Sequence, residues 1–160
     1  MNQTTHIIGV DPGIVHTGVV SLMFFPERRH IAVGHCVVLG PDAQAVKQYC
    51  PAKAIGFIEG YRPRHHMQHD SKMVKAVAEM RAATGFKVLD NTGVKKIVLP
   101  SVMEVLGVQK FSTPTHHDDL RSAARIALLG MYKDTDLNRL VATVIKAHLD
   151  QTDVWSVTHH

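Results

Sequence analysis

The stretch His6-Ile7-Ile8-Gly9-Val10-Asp11-Pro12-Gly13 decides the fold. From His6 to Val10 it is β-branched and apolar, and Pro12-Gly13 cannot extend it, so a strand is predicted to end on an aspartate. Outward from there, Thr17–Phe25 and His30–Leu39 read as two more strands joined across Pro26-Glu27-Arg28-Arg29, an antiparallel three-strand meander. Pro41–Tyr49 opens with Pro and Asp and reads as a short helix. Ala54–Glu59 is a compact apolar strand that again finishes on an acid.

Beyond a basic, histidine-rich loop at 60–69, the residues Met73, Val77, Met80, Thr84 and Val88 recur at spacings of three and four. That period predicts one helix over 70–89, with Gly85 carried inside at a cost of about 1 kcal/mol. Lys96–Leu99 reads as a short strand ended by Pro100, and Ser101–Leu106 as a helix capped by Ser101 and closed by Gly107. From Asp119 onward Leu120, Ala123, Ala124, Ala127, Leu128 and Met131 form an apolar helical stripe, and Asp136–His148 gives a last amphipathic helix. A meander followed by strands alternating with helices is a mixed α/β pattern, and the ribonuclease H-like fold has that order. The expectation is a five-stranded mixed sheet flanked by helices, in one domain spanning the 160 residues.

Composition narrows the function classes. Eighteen Lys and Arg against 14 acids leave a net charge of +4, which suits a polyanionic partner and is spread evenly over both halves. Two cysteines, Cys36 and Cys50, are too few for a disulfide framework and too far apart for a zinc knuckle. No apolar run approaches the roughly 20 residues of a membrane span. The opening residues lack a basic region followed by a long apolar stretch, so a cytoplasmic location is expected, the host cytoplasm if the chain is phage-encoded.

Three acidic positions stand at the ends of elements rather than on solvated faces: Asp11, Glu59, and the pair Asp118-Asp119. If the first and fourth strands are neighbours, Asp11 and Glu59 project from adjacent strand ends, and a helix over that edge brings Asp118 or Asp119 beside them. Crowded carboxylates repel and raise one another's pKa, so the arrangement makes physical sense with a divalent cation. Hard oxygen ligands suit Mg²⁺, with Mn²⁺ able to substitute. Two such ions about 4 Å apart can activate water and stabilise a leaving oxygen in phosphodiester hydrolysis. Each residue also has a plainer use: Asp11 as a turn former before Pro-Gly, Asp118 and Asp119 as helix caps.

Ile8-Gly9-Val10-Asp11-Pro12-Gly13 with Thr17-Gly18, the strand Ile55-Gly56-Phe57-Ile58-Glu59, and the run from His116 to Leu128 together resemble the RuvC-type Holliday-junction resolvases, especially the phage versions. The likeness spans about residues 6–132. It implies Asp11 as the first metal ligand, Glu59 as the second, and two more from the final helix, an Asp or His and an Asp three residues later. Aligned directly, Asp119 takes the earlier position and Ser122 falls where the family has an acid; alternatively His116 is the earlier ligand and Asp119 the later. Asp118 is the alternate ligand, and His116 and His117 are candidates for proton transfer. The resemblance further implies cleavage of four-way junctions and other branched DNA by a two-fold homodimer paired through the helix that begins near Met73.

Arg62, Arg64, Lys72 and Lys75 near the fourth strand, with Lys110 and Arg121 near the last acids, are candidate phosphate contacts, and Tyr61 and Phe111 candidate stacking residues. Three other readings compete. A YqgF-like RNA-processing nuclease shares the opening but tends to carry a basic residue after the glycine, where this chain has Ile14-Val15-His16. An actin-like kinase needs a second phosphate loop and an adenosine motif for which the length leaves no room, so no nucleotide cofactor is expected. A module that binds junctions without cutting them fits Ser122 but not the presence of Asp11, Glu59 and Asp119 together.

Overall fold

The structure is a computed structural model that describes residues 3–62 and 70–160. Six strands form one mixed sheet in the order β5-β4-β1-β2-β3-β6. They are β1 (Thr5–Asp11), β2 (His16–Phe25), β3 (His30–Leu39), β4 (Ile55–Gly60), β5 (Lys87–Asp90) and β6 (Ser156–His159). The helices are α1 (Ala43–Tyr49), α2 (Asp70–Thr84), α3 (Val94–Ile97), α4 (Pro100–Val105), α5 (His117–Lys133) and α6 (Thr135–Leu149). Among the described residues no helix is long and apolar enough to cross a membrane.

β1 lies at the centre, antiparallel to β2 and parallel to β4. Its alternation divides the core. Ile7 belongs to the cluster under α5 and α6, whereas Ile8 and Val10 belong to the cluster under α1 and α2. Asp11 continues the Ile7 and Gly9 series, so it faces the α5 side. In β4 the same parity sends Phe57 and Glu59 to that side and Ile58 to the other.

Helix α5 sits on the sheet with almost no space between them. A Cβ built on Gly9 would lie 1.9 Å from the Ala123 carbonyl oxygen, and one on Gly18 would lie 2.7 Å from the Asp119 carbonyl oxygen. Since Gly18 is the register partner of Asp11, the first turn of α5 is seated directly over the end of β1. Two of the other helices start on side-chain caps: Asp42 accepts from the amides of Gln44 and Ala45, and Asp134 from those of Asp136 and Leu137, all at 3.0 Å.

Four sequence expectations need correcting. Helix α2 stops at Thr84, because Gly85 takes a left-handed conformation with φ +73° and ends the helix rather than riding inside it. The residues that follow form β5, so the fifth strand is Lys87–Asp90, and the predicted strand at Lys96–Leu99 lies instead in and after the one-turn helix α3. The cap of α4 is Leu99 with Pro100 in the first turn, and Ser101 makes no capping bond. A sixth strand, β6, pairs in parallel with β3, giving six strands in place of five.

Gly9→Ala is expected to destabilise the fold by about 1–3 kcal/mol or more, because the added methyl meets backbone that cannot rotate away. The readout is a lower urea midpoint at unchanged m value; a wild-type midpoint would mean that α5 does not rest on β1 as described.

Candidate active site

The C-terminal ends of β1, β4 and β5 open into a cavity of about 410 Å³ lined by Asp11, Pro12, Glu59, Gly60, Tyr61, Arg62, Met73 and Asn91. Parallel register puts Val10 beside Ile58, so the next residues, Asp11 and Glu59, leave neighbouring strands side by side. Their side chains hydrogen-bond to each other. Burial, then the bond to Glu59 and its charge, then the charge of Asp119, push the Asp11 carboxyl up to about 10. At neutral pH the protein without a cation therefore keeps a proton on Asp11, donated to Glu59. Glu59 also accepts from the Asn91 side-chain amide, a neutral donor that orients it without cancelling its charge.

Asp119, on α5, lies close enough for its charge to act on Asp11. Its carboxylate is 40% exposed and stands 3.3 Å from Nδ1 of His116. His116 has left-handed backbone, φ +64°, at the residue before α5, and its ring lies against His16 at the start of β2 with centroids 4.2 Å apart. Nothing in the sequence marks His16 as a neighbour of the site; only the packing of α5 over β2 reveals it. Asn91, one residue past β5, is likewise reached only through packing. The turn behind the pocket is held by buried Thr17, whose hydroxyl accepts from the Gly13 amide and donates to the Gly40 carbonyl.

The other sequence-selected residues are more scattered. Asp118 turns to solvent, 95% exposed, and accepts from Arg121 at 2.6 Å, so it does not join Asp11 and Glu59. One residue of helix rotates a side chain by about 100°, which separates Asp118 from Asp119. Arg62 lies at the rim and pairs with Asp90, whose carboxyl is held low first by bonds from Thr92 and then by Arg62. Lys72 and Lys75 are exposed on α2, Lys75 beside Glu79. Lys110 lines a different hollow with Gln109 and His159. Phe111 is 5% exposed in the core, packed on the rings of His35 and His159, and is not free to stack on a base; Tyr61 lies in the pocket wall. Arg64 falls outside the described residues.

A hard divalent cation suits this donor set. Two carboxyls share a proton that a cation would displace, and a third carboxylate lies close enough for its charge to raise the first. Among the described residues no three such side chains yet stand together tightly enough to hold an ion, since Asp119 is turned toward His116. Closing the set requires a rotation of Asp119 away from that imidazole.

No family model matches the chain, and no curated protein is similar to it in sequence. Solved structures are similar in fold. RuvC from T. thermophilus in complex with a Holliday junction substrate superposes with a TM-score of 0.53 at 15% identity, over 78% of this chain and 90% of that one. The fowlpox virus resolvase in complex with Holliday junction DNA gives 0.48 at 13% identity, over 81% of this chain and 98% of that one. The first likeness shows the fold, the mixed α/β architecture of RuvC and its ribonuclease H-like neighbours. The second is weaker, and nothing below rests on it.

Without a cation, the folded chain binds one more proton at Asp11 than the unfolded chain from pH about 4 up to about 10, so stability falls as pH rises across that window. Asp11→Asn removes this loss. It is expected to raise the Tm of the protein in EDTA at pH 8 by roughly 2–4 °C for each kcal/mol relieved, with no gain below pH 4. Calorimetry at the two pH values reads it, and an equal or lower Tm at pH 8 would contradict the shared proton.

Proposed function

We propose that this chain is a metal-dependent endonuclease that cuts branched DNA, the four-way junction above all, and that it works as a homodimer. The observation that carries the reading is the hydrogen-bonded pair Asp11 and Glu59 on neighbouring strand ends, with Asp119 within electrostatic reach, on a fold shared with a protein solved on a Holliday junction.

Asp11, Glu59 and Asp119 would hold the cation, Mg²⁺ or Mn²⁺, in a site that takes two ions. Bound there, the ions supply an activated water and stabilise the leaving oxygen of a phosphodiester. The chain's own groups do the rest. Asp11 gives up its proton when the set closes, and Asn91 keeps the Glu59 oxygen in place. His116, released from Asp119, stands where it can accept a proton at Nδ1. Tyr61 and Met73 form part of the cavity wall. Arg62, Lys72 and Lys75 at the rim and on α2 meet phosphates of the bound arms. For pairing, α2 offers Val74, which is 46% exposed beside the site. Two-fold pairing through this helix would give each junction two cutting centres.

The test incubates wild type, Asp11→Asn, Glu59→Gln and Asn91→Ala with labelled four-way, three-way and linear DNA in Mg²⁺, Mn²⁺ or EDTA. Wild type is expected to cut the four-way substrate only with metal. Asn91→Ala should lose about 10–100-fold in rate, as an outer partner of a ligand does, and the two carboxylate variants more than that. Cutting by Asp11→Asn at the wild-type rate, or cutting that survives EDTA, refutes the mechanism; preference for linear RNA transfers the activity to RNA processing.

A further inference from the structure

Helix α5 carries a second set of charges on the side away from the sheet. Asp118, Arg121 and Arg125 are spaced by three and four, so they form one stripe. Beside the stripe stands Lys95, exposed on α3, which packs against α5. Asp118 accepts from Arg121 at 2.6 Å, and Lys95 and Arg125 lie within electrostatic reach of the same carboxylate. Three cations thus lean on one carboxylate. Among the described residues neither Lys95 nor Arg125 enters a salt bridge. The Arg125 Nε is moreover buried without a hydrogen-bond partner. A guanidinium fork matches the paired oxygens of a carboxylate or a phosphate, and among the described residues no carboxylate takes up Arg125.

The geometry points to a phosphate-binding tract made by Lys95, Arg121 and Arg125, which grips the backbone of the duplex arm next to the cut strand. The inference rests on the reading of the chain as a DNA nuclease and adds to it where an arm lies. Four residues of helix separate Arg121 from Arg125 by roughly 6 Å, close to the spacing of successive phosphates along a strand. The stripe begins in the first turn of α5, the turn that also carries Asp119. Asp118 acts as an internal stand-in for phosphate: it occupies Arg121 in the free protein and yields it to the backbone.

The experiment measures binding in EDTA, by fluorescence anisotropy across a KCl series, to four-way DNA, linear duplex, single-stranded DNA and single-stranded RNA. Lys95→Gln and Arg125→Gln should each weaken binding to the four-way DNA severalfold and flatten the plot of log affinity against log salt by about 0.9. Arg125→Lys should recover the slope but not the full affinity. Asp118→Asn should tighten binding, the opposite of what loss of a metal ligand predicts for cleavage. Unchanged affinity and slope in Lys95→Gln and in Arg125→Gln with wild-type circular dichroism would overturn the tract; should Arg125→Gln unfold, exposed Lys95 decides. Silent substitutions in a protein that still prefers four-way DNA remove the tract and leave the nuclease reading standing. Flattened slopes in a protein that binds linear and four-way DNA alike keep the tract and remove the junction preference. Binding to RNA alone removes both.

Discussion

Two carboxyl groups at the ends of adjacent parallel strands, pressed into a partly buried corner, cannot both be charged unless something positive joins them. Asp11 and Glu59 are in that position because β1 and β4 run side by side in register, with the same parity toward α5. The surroundings leave the conflict open. Asn91 offers Glu59 a neutral hydrogen bond, Arg62 is engaged by Asp90, and among the described residues no salt bridge reaches Asp11 or Glu59. An arginine set against the pair would have stabilised the protein and filled the cavity. A proton is what the free chain uses instead.

The rest of the molecule carries the third acid to this corner. Helix α5 is long, apolar along the face it buries, and seated on two strands, so its first turn has little freedom. Asp119 falls on the flank near the cavity and Asp118 on the solvent side, a division fixed by which residue meets the sheet. The same rotation that takes Asp118 out of the site aligns it with Arg121 and Arg125. One helix thereby presents Asp119 toward the sheet edge and Asp118, with Arg121 and Arg125, toward the outside.

The central strands were legible in the sequence because β-branched runs ended by Pro-Gly or by an acid leave few alternatives, and so were α5 and α6, whose apolar stripes hold their period over several turns. The missed parts have physical reasons. β5 is four residues long at a sheet edge, and Val88 extends the helical spacing of α2, so local spacing alone does not separate the left-handed turn at Gly85 from an interior glycine. β6 is mostly exposed and has no apolar alternation to betray it. Within the candidate site, Asp11 and Glu59 could be placed by strand ends alone. Choosing between Asp118 and Asp119 needed the rotation of a helix about its axis, which a run of two aspartates does not encode. His16 and Asn91 are reached only through packing between elements distant in sequence, and the core position of Phe111 reflects neighbours in β3 and β6 that local reading cannot supply.

The seating of α5 on Gly9 and Gly18 also bears on how such a chain drifts over evolutionary time. Where helix meets strand through main-chain atoms, the gap is set by the thickness of the polypeptide itself, and outward-facing side chains can change freely without altering it. Spacing among the acids is then inherited through the absence of side chains at two points rather than through any particular set of core residues. Most of the letters on the outward faces can then be rewritten while the distance between helix and sheet stays the same.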